Sequence, residues 1–148
     1  MHATETNGKV ESDCELCREV GGSLVWEDAL CRVVSVADSD YPGFCRVILQ
    51  RHLAEMTDLP STEQMQLMRV VLAVESAILR LYRPDKVNLA SFGNLTPHVH
   101  WHVTPRWRDD RHFPNPIWGL AQRNEAPIRE RVDDRRLGGE ITASLNSV

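Results

Sequence analysis

The sequence predicts an α+β domain in which an antiparallel sheet of about five strands carries one long helix on a face, and three observations lead there. Short β-rich stretches follow one another with no helical period between them. A single long amphipathic period comes late, and alternation resumes after it, so the order reads β-β-β-α-β-β.

Residues 1–12 are polar and carry Gly8, which reads as a flexible N-terminal arm, and the ordered domain is expected over 13–122. Leu24-Val25-Trp26 and the run from Leu30 to Val36 are β-rich and join across Glu27-Asp28 as a hairpin. After the turn signal Asp38-Ser39-Asp40-Tyr41-Pro42-Gly43 comes a third strand, Phe44 to Leu49, with Arg51 and His52 at its exit. Pro60-Ser61-Thr62-Glu63-Gln64 opens a helix, with Ser61 and Gln64 at capping-box spacing. Leu67, Val71, Val74, Ile78 and Leu81 then recur every three or four residues as one apolar stripe, and the helix should end before Pro84. Alternation returns from Lys86 to Phe92, breaks at Gly93-Asn94, and resumes from His98 to Val103, where Pro105 is expected to stop it. Residues 123–148 read as a charged C-terminal tail, a loop followed by a marginal helix or extended chain.

A chain of 148 residues with 42% apolar content buries one core without needing a disulfide or a metal in order to fold. Its net charge of −4 argues against a coat for nucleic-acid phosphates, so nucleic acid is not the expected partner. There is no long apolar run and no apolar signal core, which makes a membrane span and a secretion signal unexpected and a cytoplasmic location the expectation. Cys14 and Cys17 form a close pair. Their acidic neighbours and the lack of a preceding strand favour a metal site over redox chemistry, with unliganded thiols as the bland alternative. Cys31 and Cys45 read as small core hydrophobes.

The sharpest signal is His98-Val99-His100-Trp101-His102. On a strand, side chains alternate faces, so the three imidazoles project to one side while Val99, Trp101 and Val103 take the other. A lone strand histidine is usually structural, but three at strict period two are hard to place in a core. They cannot all share one metal. Residues four apart on a strand lie about 13 Å apart at Cα, whereas nitrogens in one tetrahedral zinc shell lie about 3.4 Å apart. The roles must therefore divide, and the middle histidine is the natural nucleophile, because a neutral imidazole offers a lone pair that phosphoryl centres accept.

The run His-Val-His-Trp-His-Val, with Gly93-Asn94 before it, Asn88 on the preceding strand, Arg51-His52 ending an earlier one and the N-terminal Cys-x-x-Cys, resembles the histidine-triad (HIT) family of nucleotide hydrolases and transferases. The likeness runs from about Cys14 to Arg106. It implies a compact α+β domain that pairs as a homodimer, and a structural zinc held by Cys14, Cys17, His52 and His98. It further implies that His100 attacks the α-phosphate of a nucleotide conjugate to give a nucleotidyl-histidine. In that scheme the other His100 ring nitrogen is fixed by the carbonyl of His98, His102 lies near the bound phosphate, and Asn88 and Asn94 serve ribose or phosphate oxygens. The substrate is then a small-molecule nucleotide of the dinucleoside polyphosphate or nucleoside phosphoramidate type, with no organic cofactor. Asn94 and Leu95 stand where many members carry Gln and Ser, which removes a hydroxyl and leaves the leaving group open. Thr104 replaces a usually apolar position.

Two other readings compete: a hydrolase in which two triad histidines hold a catalytic metal, and a nucleotide-binding regulatory module without turnover. Among the remaining residues, Arg106, Arg108 and Arg111 read as a solvated surface cluster paired with Asp109 and Asp110. Trp107, Phe113 and Trp118 stand where a base can stack or a core can form. The stretch His112 to Gly119 lies outside the family's common core and can shape the pocket. His2 and His112 read as surface residues.

Overall fold

The computed structural model describes residue 11 and residues 13–147, so the expected arm, apart from Glu11, and His2 lie outside the described residues. Five strands, β1 (Ser23–Glu27), β2 (Cys31–Ser35), β3 (Cys45–Leu49), β4 (Lys86–Ala90) and β5 (His100–Arg106), form one sheet in the order β1-β2-β3-β5-β4. Every pairing is antiparallel, as expected. A four-residue helix α1 (Glu15–Arg18) precedes the sheet, the long helix α2 (Ser61–Tyr82) follows β3, and α3 (Asp134–Asn146) closes the described chain. Among the described residues no helix is long and apolar enough to cross a membrane.

Register sorts the side chains into two faces. Val33, Val47 and Trp101 are aligned across β2, β3 and β5, and Cys45 lies opposite Val103. This face packs on Leu67, Val71, Val74 and Ile78 of α2 to make the main core. Cys31 and Cys45 are fully buried, in keeping with their reading as small hydrophobes. Trp101 faces away from the triad and donates its indole N–H to the Met56 sulfur. The opposite face carries Arg32, Ile48 and His100 in one row and Val34, Arg46, His102 and Ala90 in the next.

Sequence and structure part at several places. Ser61 is the first residue of α2, not its cap. Pro60 precedes the helix and its carbonyl accepts from Glu63 and Gln64, while the Gln64 side chain donates to Leu59, so no capping box forms. Pro105 does not end β5. Beyond Val103, β3 has no further partner and β5 pairs with β4 alone, and an edge accepts a residue that lacks an N–H. His98 precedes β5 instead of opening it, although Val99 still exchanges backbone hydrogen bonds with Leu49 and Leu53. The expected charged tail includes α3, which places Leu137 and Ile141 in the main core. Asp133 caps this helix by accepting from the Arg136 N–H. A side chain at Gly138 would collide with the Val25 carbonyl, at 2.5 Å from the Cβ position, so glycine there is what lets α3 lie close against β1. Gly43, at φ +93°, turns the chain into β3 where a Cβ would strike the Tyr82 ring.

In the arginine cluster Arg108 and Asp109 are exposed as expected, but the Arg106–Asp110 pair is not a solvated surface. Arg106 and Asp110 are 2% and 0% exposed and share two hydrogen bonds. Arg106 also donates to Asn88 and to the Asn115 carbonyl, while Asp110 accepts from Tyr41 and from the backbone of Trp107, His112 and Phe113. Burial alone would raise the Asp110 pKa; the guanidinium and the three N–H groups outweigh it and hold the carboxyl down at about 2. A group depressed on folding stabilises fully above its unfolded value near 3.9, and loses that contribution as pH falls from there through about 2. Asp110→Asn should therefore cost about 3 kcal/mol at pH 7, by stranding a buried guanidinium, and much less at pH 2.5, as read by urea unfolding at the two pH values.

Candidate active site and metal cluster

The site is built on the polar face of the sheet. Arg32, nearly buried on β2, donates to the carbonyls of Leu16, Glu19 and Val20 and to Gln50. This clamp holds the α1 segment, and with it the cysteine pair, over β3 and the start of β5. Cys14 Sγ then lies 3.4 Å from His98 Nδ1, Cys17 Sγ 3.5 Å from the same nitrogen, and Cys17 Sγ 3.4 Å from His52 Nδ1. All four ligand atoms fall within 4.8 Å of one another, so Cys14, Cys17, His52 and His98 form a potential metal site. A tetrahedral ion with bonds of about 2.1 Å to nitrogen and 2.3 Å to sulfur sets N···S edges of about 3.6 Å, which the observed spacings match. His98 Nε2 lies 2.6 Å from the Leu49 carbonyl, which can only accept. Its proton therefore sits on Nε2, and Nδ1 turns a lone pair to the sulfurs.

Two residues on, the same logic fixes a different nitrogen. His100 Nδ1 lies 2.6 Å from the His98 carbonyl and must donate to it, so the lone pair of His100 is on Nε2. His100 and His102 line a cavity of about 430 Å³ together with Glu15, Arg46, Asn94, Leu95 and Trp118. The two rings stand 5.0 Å apart between centroids, nearly perpendicular. His98 does not reach this cavity: it is fully buried in the donor cluster beneath. The three imidazoles thus divide their roles, with His100 and His102 lining the cavity and His98 among the sulfur and nitrogen donors of the cluster.

His102 is enclosed by aromatic rings, with Trp118 at 4.8 Å, Phe44 at 5.8 Å and Phe92 at 5.9 Å between centroids. Its Nδ1 is buried without a hydrogen-bond partner among the described residues. Burial, reinforced by the nearby His100 and Arg46, pushes this imidazole down to about 4, so it is neutral at pH 7. Asn94 lines the cavity. Asn88 lies on the triad face of β4 opposite Thr104 but outside that lining; its carbonyl oxygen accepts from Arg106, which leaves its amide N–H groups as the free end.

Of the aromatic candidates, Trp118 reaches the cavity, Trp107 is buried beneath Arg129, and Phe113 lies under Arg106. The segment from His112 to Gly119 does wall the pocket, through Trp118. His112 is half-buried, its Nδ1 2.6 Å from the Tyr41 hydroxyl. Sequence reasoning missed Arg46 and Phe92. For Arg46 a signal existed: it is the one charged residue in the apolar run from Phe44 to Leu49, and a central strand holds a charge only for cause.

Fold and site together define a class: a small α+β domain whose central strand offers period-two histidines to a cavity, above a cluster of cysteine and histidine donors. A family model described as the HIT domain matches residues 18–109, and the chain belongs to that family. It is 32% identical over 84 residues to a Mycobacterium tuberculosis protein named AP-4-A phosphorylase, with 53% of this chain and 43% of that protein covered; the match thus spans less than half of the curated relative. Among solved structures it is similar to a histidine triad protein of Bradyrhizobium japonicum, at 25% identity and TM-score 0.66, covering 83% of this chain and 91% of that one. It also shares its fold with a zinc-bound histidine triad family protein of Mycobacterium smegmatis, at 20% identity and TM-score 0.53, covering 84% of each.

Proposed function

We propose that the protein is a nucleotide hydrolase or nucleotidyl transferase that works through a nucleotidyl-histidine intermediate. The observation that carries this is the fixed tautomer of His100: Nδ1–H is committed to the His98 carbonyl, and the unshared pair on Nε2 belongs to a ring lining the cavity. In the first step that pair forms a bond to the α-phosphorus, and the bond to the other half of the conjugate breaks, with the electron pair leaving on the departing atom. In the second, water or another acceptor attacks the same phosphorus. The N–P bond then breaks, its pair returns to Nε2, and the acceptor's proton passes to solvent. Arg46, Asn94 and His102 surround the reacting group, where donors and positive charge stabilise the transition state. The amide nitrogen of Asn88, oriented by Arg106, is a further donor for ribose or phosphate oxygen.

Zinc is the metal we assign to Cys14, Cys17, His52 and His98. Its chemistry there is structural, tying the α1 segment to the ends of β3 and β5, and the donor set is the thiolate and imidazole set zinc prefers. The rival in which two triad histidines hold a catalytic metal finds no support, because among the described residues the donor cluster takes His98 alone of the three. Pairing into a homodimer is supported by the exposed apolar residues Met65 and Leu72 on α2. Incubating the purified protein with dinucleoside polyphosphates, nucleoside phosphoramidates and sugar nucleotides, and following release of mononucleotide, tests the activity. Release from at least one class is expected. Tight binding with no release from any would establish a regulatory binding module instead.

A further inference from the structure

We propose that Arg46 selects conjugates whose leaving group is itself an anionic phosphate chain. This rests on the reading of His100 as nucleophile and concerns the half of the substrate that reading leaves open.

Arg46 lies directly opposite His102 in the β3–β5 register, so both side chains leave the sheet on the same face, about 5 Å apart at Cβ. Among the described residues it is the arginine or lysine that lines the cavity with His100 and His102. Its guanidinium is held at one corner, donating to the Gly21 carbonyl at 3.2 Å and lying 5.8 Å from the centre of the Phe44 ring. None of the ion pairs of the described residues involves it. Its neighbour on the same face, Arg32, spends its donors on three carbonyls and Gln50, and Arg106 spends its own on Asp110, Asn88 and Asn115. Arg46 keeps most of its fork free beside the nucleophile. Guanidinium stays protonated even when burial lowers its pKa, and the Glu15 carboxylate of the same lining favours its charge without pairing with it, so the cavity holds a fixed guanidinium with donors shaped for phosphate.

A different leaving group would need a proton that the cavity is poorly placed to give. An amine must take up a proton as its bond to phosphorus breaks, whereas a phosphate departs with the bonding pair as a stable anion and needs only neutralisation. His102, walled by Phe44, Phe92 and Trp118, is neutral and has no proton to spare beyond the one its ring must keep. Leu95 offers no hydroxyl, and Thr96, which supplies the hydroxyl of the lining, is an alcohol with no acidic proton to give a departing amine. So the P–O bond to the next phosphoryl group breaks, its bridging oxygen takes the electron pair, and Arg46 meets the charge that develops there.

The test compares kcat/KM for a dinucleoside polyphosphate and for a nucleoside phosphoramidate in wild type, Arg46→Gln and Arg46→Lys. Wild type should prefer the polyphosphate by 100-fold or more. Arg46→Gln should cut that preference at least 10-fold, chiefly through a lower kcat for the polyphosphate, while Arg46→Lys keeps most of it. The preference is a ratio within one preparation, so partial misfolding of a variant does not move it. Equal losses on both substrates in Arg46→Gln, or a wild type that prefers the phosphoramidate, would overturn the role of Arg46 and leave the nucleophile reading intact. Failure of wild type to turn over either compound would overturn both.

Discussion

His100→Ala is expected to lower nucleotide release by at least about 10⁴-fold, while nucleotide affinity changes less than about tenfold. The size follows from what is removed. Without Nε2 the reaction loses its covalent route, and only positioning and charge stabilisation remain, which leave a residual rate over water in enzymes stripped of a nucleophile. Affinity survives because Arg46, Asn94, His102 and Trp118 still line the cavity. The melting temperature should move by only a few degrees, since the ring lies at a cavity wall and its one bond, to the His98 carbonyl, joins groups two residues apart. His100→Gln should fail equally, because an amide can copy the hydrogen bond but not the attack. A variant within tenfold of wild type would place the chemistry elsewhere.

The second large effect concerns the metal. One zinc per chain is expected by elemental analysis. Stripping it with a strong chelator should destabilise the fold by roughly 5 kcal/mol, or about 15 °C in melting temperature. The cluster joins chain segments far apart in sequence: α1 through Cys14 and Cys17, the exit of β3 through His52 and the approach to β5 through His98. Without a cation, two sulfurs and two imidazole nitrogens are crowded together with no charge to hold them. Cys17→Ser should reproduce most of the loss, since Cys17 is only half-buried and serine removes little packing. Activity should fall with it, because the carbonyl that orients His100 belongs to His98, a residue of the cluster. A protein that carries no metal, or a melting curve that the chelator leaves in place, would contradict this.

What the chain revealed in advance was whatever rests on period and spacing. The stripe through Leu67, Val71, Val74 and Ile78 buries as α2, the alternation around Trp101 sends it to the core, and the strands pair as the β-β-β-α-β-β order requires. The Cys14 and Cys17 spacing marks a metal pair, the family likeness adds His52 and His98, and the four meet as a donor cluster. What stayed hidden depends on partners distant in sequence. Asp110 reads as a solvated charge until three backbone N–H groups, Tyr41 and Arg106 enclose it. Leu137 and Ile141 look too sparse for a buried helix until α2 and β1 supply the opposing surface. Pro105 reads as a strand end because a single sequence does not show that β3 has already run out beside it. Arg46 reads as an interruption in a strand until the register sets it across from His102.

The central claim is that His100 Nε2 bonds to phosphorus. Brief incubation with substrate labelled in its α-phosphate, quenching in alkali and mapping of the label by mass spectrometry test it most directly. An acid-labile, base-stable nucleotidyl adduct on His100 is expected, forming and decaying fast enough to carry turnover and absent in His100→Ala. Turnover with no adduct under single-turnover conditions, or label on any other residue, would contradict it.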